Sequence, residues 1–164
     1  MKQYRALLAI DFDKTVVVSN YPDIVGLHPN AREVINRLVD VHDCCVILNT
    51  CRDGEPLREA KNYLEAEGVQ THYQNEQHPD MHIIFGCDTR KMSADVYVDD
   101  KDIHALCDPT FPDWLRLEQM ILSVIYAPGF FSILRMEPMA NIAEMTNRSW
   151  KDMERMLDSD EGND

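Results

Sequence analysis

"LLAIDFDKTVV", residues Leu7 to Val17, is an apolar run broken by two aspartates one residue apart. A short apolar run of this kind predicts a buried strand. Side chains alternate between the two faces of a strand, so Asp11 and Asp13 are expected on one side and Phe12 on the other. Like charges at that spacing oppose each other's ionisation unless one carries a proton or a cation lies between them. The pair therefore predicts a site at the end of the strand and not a piece of ordinary surface.

Working outward, the pattern recurs. "CCVILNT" predicts a second strand over Cys44 to Asn49, stopping at Thr50, and "ADVYVDD" predicts a later strand that stops at Asp99 and Asp100. Between them, "NAREVINRLVDV" sets Val34, Ile35, Leu38 and Val41 at helical spacing behind Asn30 as N-cap. "EPLREAKNYLEAEG" does the same with Leu57, Ala60 and Leu64, and Gly68 stands where a left-handed helix end is expected. "VQTHYQ" is a weak third strand, and "SNYPDIVGLHPN" reads as a loop or small flap. Strands alternating with helices predict an α/β, Rossmann-like three-layer fold with a central parallel sheet. In such a sheet Asp11, Thr50 and Asp99 gather at the edge where open α/β sheets bind ligands.

Past Asp102 the text changes. "FPDWLRLEQMILSVIY" predicts a helix, "APGFFSILRMEP" an apolar loop or strand, and "NIAEMTNRSWKDMERML" an amphipathic helix with Ile142, Trp150, Met153 and Leu157 aligned. The expected organisation is a catalytic core over 1–110, a mainly helical extension over 111–157, and an acidic disordered tail over 158–164. The extension is too apolar to leave in water, so it is expected on the core or at an oligomer interface, with a homodimer as one outcome.

Composition narrows the function. The 164 residues suffice for one core-forming domain, and a net charge of −13 argues against a binder of nucleic acid or anionic membrane. No apolar stretch approaches the length of a membrane span, and a cytoplasmic location is expected. Five cysteines without a CxxC predict reduced thiols, with Cys44 and Cys45 buried and Cys51, beside Thr50, a candidate pocket residue. His78 and His82 have a spacing that holds zinc on a helix, but Pro79 and the absence of a helix pattern argue against such a site.

The order of these strand ends resembles the haloacid dehalogenase (HAD) superfamily, whose members are mostly magnesium-dependent phosphohydrolases. Its DxDx[TV] motif matches Asp11, Asp13 and Thr15; its strand ending in Thr or Ser matches Thr50; its lysine before the last strand matches Lys91, with Arg90 and Lys101 as competitors; its paired acids match Asp99 and Asp100. The resemblance spans roughly Tyr4 to His104 and is similar to that of small bacterial and phage members. It implies a Mg²⁺-dependent phosphatase acting on a phosphomonoester, with Asp11 as nucleophile and Asp13 as general acid and base. Thr50 and Lys91 would hold the phosphoryl oxygens. The metal would be held by the Asp11 carboxylate, the Asp13 backbone carbonyl, and Asp99 or Asp100, with Asp99 preferred and Asp100 behind it. Neither gap between motifs can contain a folded cap domain, which implies an open site and allows a large phosphorylated substrate. Lys14 stands where the family often has glycine. The rival readings are a phosphotransferase passing the phosphoryl group to another acceptor, and a non-catalytic phosphate-binding or regulatory module. Dehalogenation fits less well, because the dehalogenases lack the second aspartate.

Overall fold

Strand β1 (Ala6–Ile10) is buried along its whole length, as is its neighbour β4 (Cys44–Leu48). Strands buried on both faces belong in the middle of a covered parallel sheet. The computed structural model describes residues 4–87 and 89–136. Its central sheet has four parallel strands in the order β5-β4-β1-β6, with β5 (Tyr73–Gln74) and β6 (Val96–Val98) at the edges. The protein is therefore of the α/β class.

The pleat divides the core in two. Ala6, Leu8 and Ile10 of β1 face one side with Cys44, Val46 and Leu48 of β4, against α1 (Ala31–Asp40), α2 (Gly54–Ala66) and, after the short α4 (Ile103–Cys107), α5 (Trp114–Ile125). Leu7, Cys45 and Ile47 face the other side, against Met81 and Ile84 of α3 (Pro79–Phe85) and the short 3₁₀ turn Ile133–Arg135. These three layers leave the carboxyl ends of β1, β4 and β6 free to build a site.

Several elements differ from the sequence expectation. The first strand stops at Ile10, before the aspartates. The amides of Val16 and Val17 turn back onto the Phe12 carbonyl at 3.0 and 3.1 Å, and the chain then forms a hairpin of β2 (Val17–Asn20) and β3 (Asp23–Leu27) where a loop or flap was expected. Asn30 precedes α1 in a left-handed conformation and makes no side-chain cap, and Val41 is exposed. Helix α3 carries no periodic signal; it starts because Pro79 occupies the first turn and the His78 side chain accepts the Asp80 amide at 3.2 Å. The predicted left-handed residue at Gly68 is present, with φ 70°.

The chain beyond residue 110 joins the core as far as it is described. Trp114 is fully buried and its indole donates to the Thr15 carbonyl at 3.0 Å, beside the first aspartates. Arg37 of α1 makes a forked pair with Glu118 of α5 at 2.8 and 2.7 Å. The Asp95 carboxylate accepts from Leu7 N, Ser132 Oγ and Ile133 N at 2.8, 2.7 and 2.6 Å, fastening the 3₁₀ turn to the sheet. The amphipathic helix expected around Trp150 and the acidic tail lie outside the described residues. Trp114→Ala removes a buried aromatic and leaves the Thr15 carbonyl unpaired. It should lower the unfolding free energy by about 3–5 kcal/mol, measured by urea titration; a loss below about 1 kcal/mol would show that α5 is dispensable to the core.

Candidate functional site

The turns after β1 and β4 and the end of β6 meet in a cleft of about 560 Å³ lined by Asp11, Asp13, Thr50, Asp99 and Asp100. Lys14 and Lys101 also line it, and so does Cys51. The tip of the hairpin contributes Ser19, Asn20 and Tyr21. Five of the six residues singled out from sequence thus come together. Lys91 does not: it is exposed, and its Nζ lies 5.0 Å from the ring centroid of Tyr97, away from the cleft. Arg90 lines a separate depression with His82 and Gln77. Among the described residues the cations lining the cleft are Lys14 and Lys101, the latter paired with Asp100.

Asp11 directly follows β1, where its amide donates to the Val98 carbonyl at 2.9 Å and its Oδ2 accepts from the Thr15 hydroxyl at 3.2 Å. Ligand oxygens of Asp11, Asp99 and Asp100 all lie within 4.8 Å of one another. Burial pushes the Asp11 carboxyl up to about 7, and the charges of Asp99 and Asp100 add to the rise against the hydrogen bonds from the Phe12 amide and Thr15. Three half-buried carboxylates offer hard oxygen donors at a spacing that one divalent cation could bridge. Asp99 Oδ1 accepts the Lys101 amide at 2.8 Å, whereas the Asp100 carboxylate is engaged by the Lys101 ammonium.

Asp13 has the opposite electrostatic setting. It sits past the strand, in the turn, and its two oxygens accept a fork from Arg52 Nε and Nη2 at 2.8 and 2.7 Å. Burial favours the protonated form, but the hydrogen bonds and charge of Arg52, with Lys14 assisting, hold the carboxyl below its ordinary range. Arg52 itself is 1% exposed. Its carbonyl accepts from Asn75 Nδ2 at 2.9 Å, and its guanidinium lies 4.9 Å from the Phe12 ring centroid and 5.3 Å from that of Tyr21. Sequence reasoning passed over Arg52; its only signal is an arginine two residues beyond the strand end at Thr50. Asn75 is a further unpredicted support, since its Oδ1 accepts the Thr50 amide at 2.8 Å.

Lys14 adopts φ 62°. This is the left-handed region that glycine enters freely and that costs other residues about 1–2 kcal/mol, so the lysine is held there at the expense of the turn. The two histidines have different surroundings. His78 is buried as the cap of α3 and His82 is exposed, and among the described residues the acidic trio around Asp11 is the group with metal-binding spacing.

Fold and cleft together define an α/β protein with an acidic site at the carboxyl edge of its parallel sheet. A scan against models of protein families finds no match, and a comparison with curated proteins also finds none. Among solved structures the chain is similar to a conserved protein from Bacteroides thetaiotaomicron, at 33% identity and a TM-score of 0.59 over 71% of this chain and 88% of that one. The chain belongs to the family of that conserved protein. Among the described residues no helix is long and apolar enough to cross a membrane.

The raised Asp11 carboxyl has a measurable sign. Its folded value of about 7 lies above its unfolded value near 3.9. Its stabilising contribution is therefore complete below about pH 4 and is lost as the pH rises through about 7. In chelator, the melting temperature of wild type relative to Asp11→Asn should fall progressively across that window. A difference that stays constant with pH would contradict the burial and crowding of Asp11.

Proposed function

We propose that the protein is a Mg²⁺-dependent phosphohydrolase of the haloacid dehalogenase type, acting on a phosphomonoester through an aspartyl-phosphate. The observation that carries this reading is the crowding of Asp11 by Asp99 and Asp100 within 4.8 Å, at a sheet edge that also presents Asp13 and Thr50. A carboxylate nucleophile and a phosphate oxygen repel by ~4 kcal/mol per charge pair at 4 Å in an effective dielectric of 20. Mg²⁺ held by Asp11, the Asp13 backbone carbonyl and Asp99 would supply the charge that offsets this repulsion. Asp99 is the preferred third ligand because the Asp100 carboxylate is already paired with Lys101.

In this reading an Asp11 oxygen attacks phosphorus as the bond to the leaving oxygen breaks, giving the phosphorylated aspartate and an alcohol. Asp13 gives the leaving oxygen its proton, then takes one from the water that cleaves the aspartyl-phosphate. The Arg52 fork keeps Asp13 ionised in the free protein, which suits the second role. For the first role, the incoming phosphate dianion raises the affinity of the neighbouring carboxyl for a proton. The Thr50 hydroxyl and the ammonium of Lys101 hold the phosphoryl oxygens, Lys101 taking the part that the motif spacing suggested for Lys91. Between Asp11 and Thr50 the chain forms the hairpin and α1, and between Thr50 and β6 it forms α2, β5 and α3. Among the described residues α1, α2, α3 and α5 pack on the sheet and no helix lines the cleft, which supports a capless site.

The test is turnover of p-nitrophenyl phosphate with and without Mg²⁺. Wild type should be active only with the metal, Asp11→Asn should lose activity by at least about 10³-fold, and Asp99→Ala should no longer respond to Mg²⁺. Undiminished turnover in Asp11→Asn would remove the nucleophile assignment.

A further inference from the structure

Tyr21 stands at the tip of the hairpin with 66% of its surface exposed, and it is the one aromatic side chain among the described residues lining the cleft. Other exposed apolar residues of the hairpin, Val18 and Val25, do not line the cleft, so Tyr21 is not merely part of a general apolar patch. Its ring is braced from within. The Arg52 guanidinium lies 5.3 Å from its centroid, inside the range of a cation–π contact, and is itself fixed by the fork to Asp13 and by the Phe12 ring. One buried cation thus sets the position of both the candidate acid–base carboxylate and the aromatic ring beside it. An aromatic held this way can bind a flat partner without the ordering cost a mobile side chain incurs. The cleft's volume of about 560 Å³ falls within the ~300–1,000 Å³ range of small-molecule sites.

We propose that Tyr21 is a specificity-determining platform on which a flat ring of the leaving group stacks, so that the site takes phosphomonoesters of aryl alcohols or nucleosides. This rests on the phosphohydrolase reading above and names the substrate class for that same cleft. The polar lining handles the phosphoryl group, and the exposed face of Tyr21 receives the ring.

Binding of phenylphosphonate and methylphosphonate to the full chain in saturating Mg²⁺, followed by calorimetry, isolates the ring. Phenylphosphonate should bind about tenfold more tightly, the effect a single base–aromatic stack produces. The preference should vanish in Tyr21→Ala and persist in Tyr21→Phe. In turnover, the kcat/KM ratio of p-nitrophenyl phosphate or adenosine 5′-monophosphate to glycerol phosphate should fall about tenfold in Tyr21→Ala, mainly through KM. A larger fall for the nucleotide identifies the ring as a nucleobase, and a larger fall for the nitrophenyl ester identifies it as an aryl group. Equal binding of the two phosphonates, or a preference that survives Tyr21→Ala, overturns the platform while leaving the hydrolase intact. If neither phosphonate binds and no ester is turned over with Mg²⁺, the phosphohydrolase reading fails and the platform falls with it.

Discussion

A guanidinium with almost no access to water lies beneath the cleft, and the arrangement of the site depends on its pairing with Asp13. Burying an arginine is costly unless a carboxylate meets it in good geometry, and the two-armed contact at 2.8 and 2.7 Å does so. The pairing joins the turn after β1 to the turn after β4, two segments separated by 39 positions in the chain. It also presses the guanidinium against Phe12 below and Tyr21 at the hairpin tip. The remaining nitrogen, Nη1, has no hydrogen-bond partner among the described residues, which makes the bond to Asp13 harder to dispense with.

The same pairing separates two aspartates that the sequence presents as near equals. Asp13 gains a positive neighbour and is kept ionised, whereas Asp11 gains burial and two negative neighbours and is pushed toward the neutral form. Environments that drive two carboxyls apart in this way are how one site assigns them different chemistry. Asp11 is the group that a cation between it, Asp99 and Asp100 would relieve. Asp13 is the group already satisfied without one.

The sequence disclosed the parts governed by period and punctuation. Continuous apolar runs located β1, β4 and β6, helical spacing located α1, α2 and α5, and a glycine marked the end of α2. From these the gathering of Asp11, Thr50 and Asp99 followed by topology. What it missed was governed by contacts distant in the chain or by backbone turns. The apolar text through Val17 hides the end of β1, because Phe12 and Val16 in the turn, and Val17 where β2 begins, are buried as fully as they would be in one continuous strand. Helix α3 is too short to show a period, and its capping by His78 and Pro79 reads locally as a break. The place of Lys91 before a strand points toward the site, but Lys101 is carried into the cleft by the turn after β6, where its backbone binds Asp99. A single buried arginine in a polar turn has no pattern at all, and only the fold reveals Arg52 as the partner of Asp13.

The most direct measurement is a double-mutant cycle on that pair, comparing the unfolding free energies of wild type, Asp13→Asn, Arg52→Met and the double variant. If the buried guanidinium and Asp13 hold each other in place, each single variant strands a charge or a donor, and the double variant loses less than the sum of the two. The predicted coupling is about 1–3 kcal/mol, reduced from that of a fully buried pair because Asp13 keeps 24% of its side chain exposed. Losses that add to within about 0.5 kcal/mol would contradict the account, because Arg52 and Asp13 would then be neighbours that do not depend on each other.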